Sequence, residues 1–449
     1  MYISKIAGFL FGCLLLVHCT SEPQATHKTQ TEIPSQKVEI RAVNEDVIPT
    51  AKKSILIKGA LLIDGLGGEP LNNASILVED GLITEVGEEG SFAVPDMAEV
   101  VEAEGRAVLP GLLDAHYHQG NIELITKFLS HGVTSIRDPG AWEYRYKEIR
   151  SAGRVIPRLF LTGPHLDMFP PAYPKNCVIV RDAEEARARV ADFVADGASA
   201  IKVYYRLTPE IIRAICEEAD KYGIPTTAHL EITTATDAMA AGIDGIEHVT
   251  SFGTGLIPLP EAEAYRQRVM ADNNARRYGR YDVWSKIDMN SAQTDTLISK
   301  IVKSGTVISP TLAIFEYQLD EEHTDSTKAK GFQNMLAFVG KAKKAGASVV
   351  AGSHTYVPYA EFGWAYQREL ELLAQSGLSN TEVIQAATIE NARFFRIEDR
   401  LGSIEQGKQA DLVLVNGNPL NDIKAMYKVE RVMLNGTWVP TSNQEPQRP

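Results

Sequence analysis

Cysteine is scarce, with four among 449 residues. Cys13 and Cys19 fall in the first nineteen residues, so Cys177 and Cys216 alone remain for the body of the chain. Two thiols make neither a disulfide framework nor a Cys-based zinc site. Any metal must therefore be held by other side chains. Basic charge is also in short supply: 45 Lys and Arg against 58 Asp and Glu give a formal charge of −13. With no basic stripe, nucleic acid and anionic lipid surfaces are poor partners, and a small molecule or dipeptide is the better expectation. Long apolar runs are missing as well, apart from residues 6–17, which are too few to span a bilayer.

That one run has the build of a secretory leader, a lysine followed by a short apolar stretch. It ends in LVHC, similar to a bacterial lipobox, in which Cys19 would carry the lipid. His18 stands where such a motif has a small residue, and ordinary cleavage a few residues later is the alternative. Residues 1–19 are thus expected to be a signal peptide. The mature protein is expected in the periplasm or cell envelope, touching membrane only through an anchor at Cys19. Residues 20–50, rich in Ser, Thr, Gln, Glu and Pro, read as a disordered tether, and 441–449 as a tail.

What is present in quantity is alternation. SILIKGALLIDG, ASILVEDGLITEVG and VVEAEGRAVLPG are apolar-alternating stretches broken by Gly and Asn, hence strands. The same style returns in ADLVLVNGNPL and KVERVMLNGTWV. Residues 51–110 and 396–440 therefore predict one composite β-sandwich domain built from both chain ends. Between them, eight apolar runs alternate with helical stretches: LPGLLDAHYH, GVTSIRDPG, RLFLTGPHLD, SAIKVYY, IPTTAHL, DGIEHVT, TVISPTL and SVVAGSH. This pattern predicts an α/β fold, a (β/α)8 TIM barrel over residues 111–395. The segment exceeds the roughly 250 residues typical of that fold because about 50 residues are inserted after DGIEHVT.

Such barrels carry their chemistry at the C-terminal strand ends, and there the histidines collect. His116 and His118 end the first run and, two apart on a strand, point the same way. Paired imidazoles are hard to satisfy by packing alone but suit a zinc-like ion. Lys202 sits in an otherwise apolar strand, where an unpaired ammonium is rarely tolerated. His229 ends the fifth run and His248 the sixth. Tyr204, two after Lys202, faces the same way and could donate to a substrate carbonyl. His165 follows the third strand and could do similar work. Arg137 and Asp138 read as a structural pair, His131 precedes a strand and belongs at the far end, and Glu247 should point away from His248. The segment ARRYGRYDVWSKID reads as a helical cover with Arg or Tyr residues that could reach substrate, although a solvated face is the commoner case for such a helix.

LPGLLDAHYH, GVTSIRDPG, DGIEHV, AATIENAR and LGSIEQGKQADLVLVNGNPL together resemble the amidohydrolase superfamily, in the branch of imidazolonepropionase and Xaa-Pro dipeptidases. The resemblance covers residues 54–440. It implies two divalent metals, usually zinc, with His116 and His118 on the first, His229 and His248 on the second, and Lys202 carbamylated as a bridge; with the departure at His354 described next, one or two divalent metals are expected here. It also implies hydrolysis of a C–N bond, in an amide, dipeptide or cyclic amide, by metal-activated water. The eighth run departs from the family: AGSH stands where AGTD or AGSD is usual. His354 thus takes the place of an aspartate that ligates metal and carries the proton. An imidazole can do both, titrating near pH 6 to 7, but the exchange removes a negative charge and should weaken metal retention. Asp114, on the face of His116 and His118, could replace the lost carboxylate. The alternative function is a surface lipoprotein that keeps the barrel for binding.

Overall fold

The computed structural model describes residues 37–118 and 120–440, Glu143 by its backbone alone. The signal, the anchor at Cys19 and the tail lie outside the described residues. The expected tether does not reach residue 50. From residue 37 onward the chain is packed, with Ile40, Ala42 and Ile48 buried. Asn44 explains why: its side chain accepts from Leu159 N at 2.8 Å and donates to Pro157 O at 3.0 Å, capping the start of strand Arg158–Leu161.

Both chain ends build one eight-stranded sheet. Its order runs Thr437–Trp438, Val429–Leu434, Leu412–Asn416, Arg106–Pro110, Ile55–Leu62, Leu71–Glu79 and Leu82–Glu88, with Glu99–Glu102 beside Ile55–Leu62. Period-two alternation turns Ile55, Ile57, Ile76, Val78, Leu412 and Leu414 into one core cluster. The junction of the two ends is the antiparallel pairing of Leu412–Asn416 with Arg106–Pro110. Asp80 and Gly81, at φ of 49° and 83°, make the tight hairpin that Asp-Gly favours.

Between the ends, all strand pairing is parallel. One sheet runs Leu112–Asp114, Val133–Asp138 and Arg158–Leu161; a second runs Cys177–Ile179, His165–Asp167, Ile201–Val203, Thr226–His229, Gly245–Glu247 and Val307–Ser309. Ser199 N donates to Leu161 O at 2.8 Å between the two sheets. On the other side Ile308 pairs with Val349, Ala115 N donates to Ala351 O at 3.0 Å and His354 N to His116 O at 2.8 Å. Segment 348–354 thus lies between the last strand of one sheet and the first of the other.

Helices follow most strands with their ends specified in sequence. Pro209–Tyr222 is typical: Thr208 caps it, proline opens it and Gly223 closes it at φ 73°. Its Cys216 is buried, as expected of a small hydrophobe. The insertion forms helices Leu259–Ala271 and Ala275–Ser285. No helix among the described residues is long and apolar enough to cross a membrane.

Candidate metal-binding active site

His116, His118, His165, Lys202, Tyr204, His229, His248 and His354 all line one cavity of about 470 Å³. Of the candidates read from the sequence, Asp114 does not line it. His116 and His118 extend from strand Leu112–Asp114, with their Nε2 atoms 3.1 Å apart. His248 and His354 follow their strands in the left-handed region, at φ of 64° and 58°. Such strain persists only where surrounding contacts overdetermine it. For His248 those contacts are Ser309 O, 2.8 Å from its backbone nitrogen, and Thr311 Oγ1, 2.7 Å from Nδ1. Gly352 must lack a side chain: a Cβ there would come within 2.8 Å of His116 Cβ.

The ligand atoms of His116, His248 and His354 lie within 4.8 Å of one another, and no other such group of three occurs among the described residues. The His118 ring centroid stands 4.8 Å from that of His116 and 4.7 Å from that of His354. Burial pushes His354 down to about pH 3 and His165 likewise, so both are neutral well below the pH 6 to 7 expected from an ordinary histidine. Neutral imidazoles facing one another are what a divalent cation requires.

Lys202 is 1% exposed, and its Nζ has no hydrogen-bond partner; Glu247 Oε1 stands 3.8 Å away. Burial lowers this amine to about 8 despite Glu247. An orphaned, partly deprotonated amine beside clustered imidazoles fits a metal site in which that nitrogen is modified. The donor set therefore fits a bound cation.

Glu247 does not point away from the site, as strand parity suggested. It is fully buried beneath it: Oε2 accepts from His116 Nδ1 at 2.5 Å, and Oε1 from Thr227 Oγ1 at 2.8 Å and Arg137 Nη2 at 3.3 Å. Burial alone would raise its carboxyl, but Lys202, His116 and Arg137 outweigh burial and hold it well below the carboxylate range. A carboxylate on the far nitrogen fixes the tautomer of His116 and raises its basicity as a ligand. Strand parity fails because the chain leaves its regular extended path at this strand's end, as the φ of His248 records.

Two further readings change. Arg137 does not pair with Asp138; it pairs with Glu247 and lies over the rings of Phe394 and Phe395 at 4.1 and 4.7 Å, while Asp138 accepts from Tyr146 Oη at 2.8 Å. Successive strand residues face opposite ways, so the two could not meet. Asp114 is no replacement ligand. Its oxygens accept from His116 N, Ser353 N and Ser353 Oγ at 3.0, 2.9 and 2.5 Å, and burial raises its carboxyl to about 6 against those bonds. His131 lies elsewhere, stacked on Trp364 at 3.5 Å.

Residues 107–439 match the family model described as the amidohydrolase family. The chain belongs to the amidohydrolase family. It is accordingly a hydrolase of carbon–nitrogen bonds. It is 24% identical to ochratoxinase of Aspergillus niger over 85% of each chain. It resembles the structure of a Bifidobacterium longum protein assigned as a prolidase, with TM-score 0.67 and 26% identity over 87% of this chain and 95% of that one. A Xaa-Pro dipeptidase with methionine in its active site superposes with TM-score 0.64 at 23% identity, over 86% and 99%.

One wall of this amidohydrolase cavity comes from the insertion. The segment expected to be a cover, mainly solvated but with Arg or Tyr residues that could reach substrate, is helix Ala275–Ser285, whose Arg276 is buried and whose Arg280 enters the cavity. Arg145, Arg276, Arg277 and Arg280 line the cavity, and among the described residues no carboxylate does. Arg276 donates to Asn273 O and Tyr173 Oη, and among the described residues no carboxylate forms an ion pair with it. Glu231 was also missed, although it shares the strand parity of His229 two residues earlier. Burial would raise its carboxyl, but Arg280, His229 and Tyr265 together outweigh burial and hold it at about 2.

Proposed function

We propose that this amidohydrolase is metal-dependent and cleaves an amide bond in a small substrate bearing a free carboxylate, an N-acyl amino acid or dipeptide. Convergence of neutral imidazoles on a Lys202 without a hydrogen-bond partner, inside one cavity, carries the reading. The two parallel sheets, linked on both sides by hydrogen bonds, are read as one closed (β/α)8 barrel, and the sheet of both chain ends as a β-sandwich around its own core.

His116, His118, Lys202 as its carbamate, His229, His248 and His354 are the residues available to hold divalent metal, zinc being the family's usual choice. A divalent cation at that position supplies Lewis-acid activation of water and carbonyl. The protein's own groups do the rest. Glu247 holds the His116 ring in one tautomer. Tyr204, stacked on His165 at 4.6 Å, presents a phenol to the substrate carbonyl. His354, neutral and in contact with His116 and His118, would take the proton of the attacking water in the form in which its lone pair is not on metal, and pass it to the leaving nitrogen, as a general base and then acid. The arginine wall pairs with the substrate carboxylate; a guanidinium matches its geometry. Ring amides and other uncharged amides use less of this cavity. Export and anchoring at Cys19 belong to the same proposal and rest on the leader sequence alone.

The test is hydrolysis of matched substrates, N-acetyl amino acids and dipeptides against their C-terminal amides. Cleavage is expected with kcat/KM at least roughly tenfold higher for the free acids, the effect of about 1.4 kcal/mol of charge recognition. Equal rates for acid and amide would remove the substrate class.

A further inference from the structure

Beside the catalytic cavity lies a second one of about 400 Å³, and the two share Arg277 and Ile314 as wall residues. Four tyrosines line it: Tyr278 and Tyr281 from helix Ala275–Ser285, and Tyr317 and Tyr359 from the loops that follow Phe315 and His354. The helix is a partition. Arg276 and Arg280, four apart, line the catalytic cavity, whereas Arg277 and Tyr281, also four apart, line the second.

These rings are neither core residues nor loose ones. Tyr278 is 51% exposed and the other three are half-buried. Tyr281 Oη donates to Phe315 O at 3.0 Å, while Tyr317 Oη and Tyr359 Oη accept from Asp325 N and Gln318 N at 3.1 and 3.2 Å. With those hydroxyls tied to backbone, the rings stand in a fixed arrangement, and a ligand packing on them loses little by ordering them. His323 lies edge-on to both Tyr317 and Tyr359, at ring-centre distances of 5.7 and 6.1 Å. The charged walls are already engaged: Glu316 pairs with Arg368, and Lys328 lies over Tyr278 and Tyr317 at 5.9 and 5.2 Å.

The order of rings across the catalytic cavity decides which end of a substrate reaches this annex. His165 stacks on Tyr204, Tyr204 meets His229, His229 meets His248 and His248 meets Phe315, at ring-centre distances of 4.6, 4.9, 4.5 and 5.9 Å. Arg276 and Arg145 are held at the His165 end, by Tyr173 and Asn176. Ile314 and Phe315 stand at the other. A substrate with its carboxylate on Arg276 and its scissile carbonyl over the histidine cluster therefore points its acyl group past Ile314 into the tyrosine-walled cavity.

We infer that this cavity is an acyl subsite for an aromatic group, so that the substrates are N-arylacyl amino acids rather than N-acetyl ones. The inference rests on the reading of the arginine wall as the anchor of the substrate carboxylate. An aromatic group gains over an aliphatic one of equal carbon count because ring pairs add their own attraction to burial.

The experiment compares kcat/KM and calorimetric affinity for three derivatives of one amino acid: N-acetyl, N-(3-cyclohexylpropanoyl) and N-(3-phenylpropanoyl). The phenylpropanoyl compound should exceed the acetyl one at least about tenfold and the cyclohexyl one at least about twofold. Tyr278→Ala, which removes an exposed ring, and Tyr281→Leu should each shrink the preference over acetyl by about twofold or more. A cyclohexyl compound that equals or surpasses the phenyl one, or a preference untouched in both variants, overturns the inference. If free acids are cleaved no faster than their amides, the carboxylate reading falls instead, and the calorimetric preference still decides the subsite.

Discussion

Replacing Glu247 by glutamine changes little in shape and much in energy. The glutamine oxygen, in the place of Oε1, can still accept from Thr227 at 2.8 Å and Arg137 at 3.3 Å, but its amide nitrogen, in the place of Oε2, is a donor facing a donor, His116 Nδ1. One hydrogen bond to a charged acceptor is lost, at about 1.5–3 kcal/mol. Arg137, 1% exposed, is left as a buried cation without its anion; removing one member of a buried pair costs roughly 3–5 kcal/mol. The two figures describe the same event, so the expected destabilisation is about 3–5 kcal/mol, a large share of the roughly 5–15 kcal/mol that holds a domain folded. The variant should also bind zinc about 10–100-fold more weakly, because the His116 tautomer is no longer fixed. Urea unfolding of the metal-free proteins reads the first effect, and competition with a chromogenic chelator reads the second. A variant within about 1 kcal/mol of wild type, below the usual cost of a buried unsatisfied group, with unchanged zinc affinity, would refute the role given to Glu247.

Lys202→Ala should abolish hydrolysis and be partly restored by a short carboxylic acid, since the missing group is a carboxylate; full activity in the variant would reject the carbamate. His354→Phe should lower kcat/KM by at least about 10²-fold, the low end for a general base, whereas His354→Asp should keep substantial activity; wild-type turnover in the phenylalanine variant would make His354 a spectator. Glu369 gives a pH test away from the metal residues. It accepts from Leu312 N and Ala313 N at 2.9 and 2.8 Å, yet burial raises its carboxyl to about 8. Folding therefore takes up a proton there, so this contribution to stability is full below the unfolded carboxyl value and falls as pH rises towards 8, by up to about 1.4 kcal/mol per pH unit. Glu369→Gln should flatten that slope between pH 5 and 8; an unchanged slope would place the titration elsewhere.

Ligand-type side chains at strand ends were legible because strand periodicity and strand-end position are local properties. His116, His118, Lys202, His229, His248 and His354 could be ordered along the chain and all reach one cavity. Glu247 was misread because parity holds only while a strand stays regular, and the chain turns to positive φ at His248. The arginine wall was legible only as one of two possibilities, and for another reason. Whether Arg276 and Arg280 face solvent or the cavity depends on how helix Ala275–Ser285 packs on strands and on helix Ser326–Lys344, where Gly331 lies close to the backbone of Tyr281. A helical face of Arg and Tyr looks the same in sequence whichever surface covers it. Asp114 and Arg137 show a third limit: a strand places a side chain on a face, but hydrogen-bond partners 239 residues away, as Ser353 is from Asp114, are set by the assembled sheets.

The central claim is that the histidine cluster holds a cation on which amide hydrolysis depends. The direct measurement is turnover of an N-acyl amino acid before and after removal of metal by a chelator, then after stepwise return of zinc. Activity should vanish on removal and return as zinc is added back. Turnover that survives complete removal of metal from the folded protein would contradict the account.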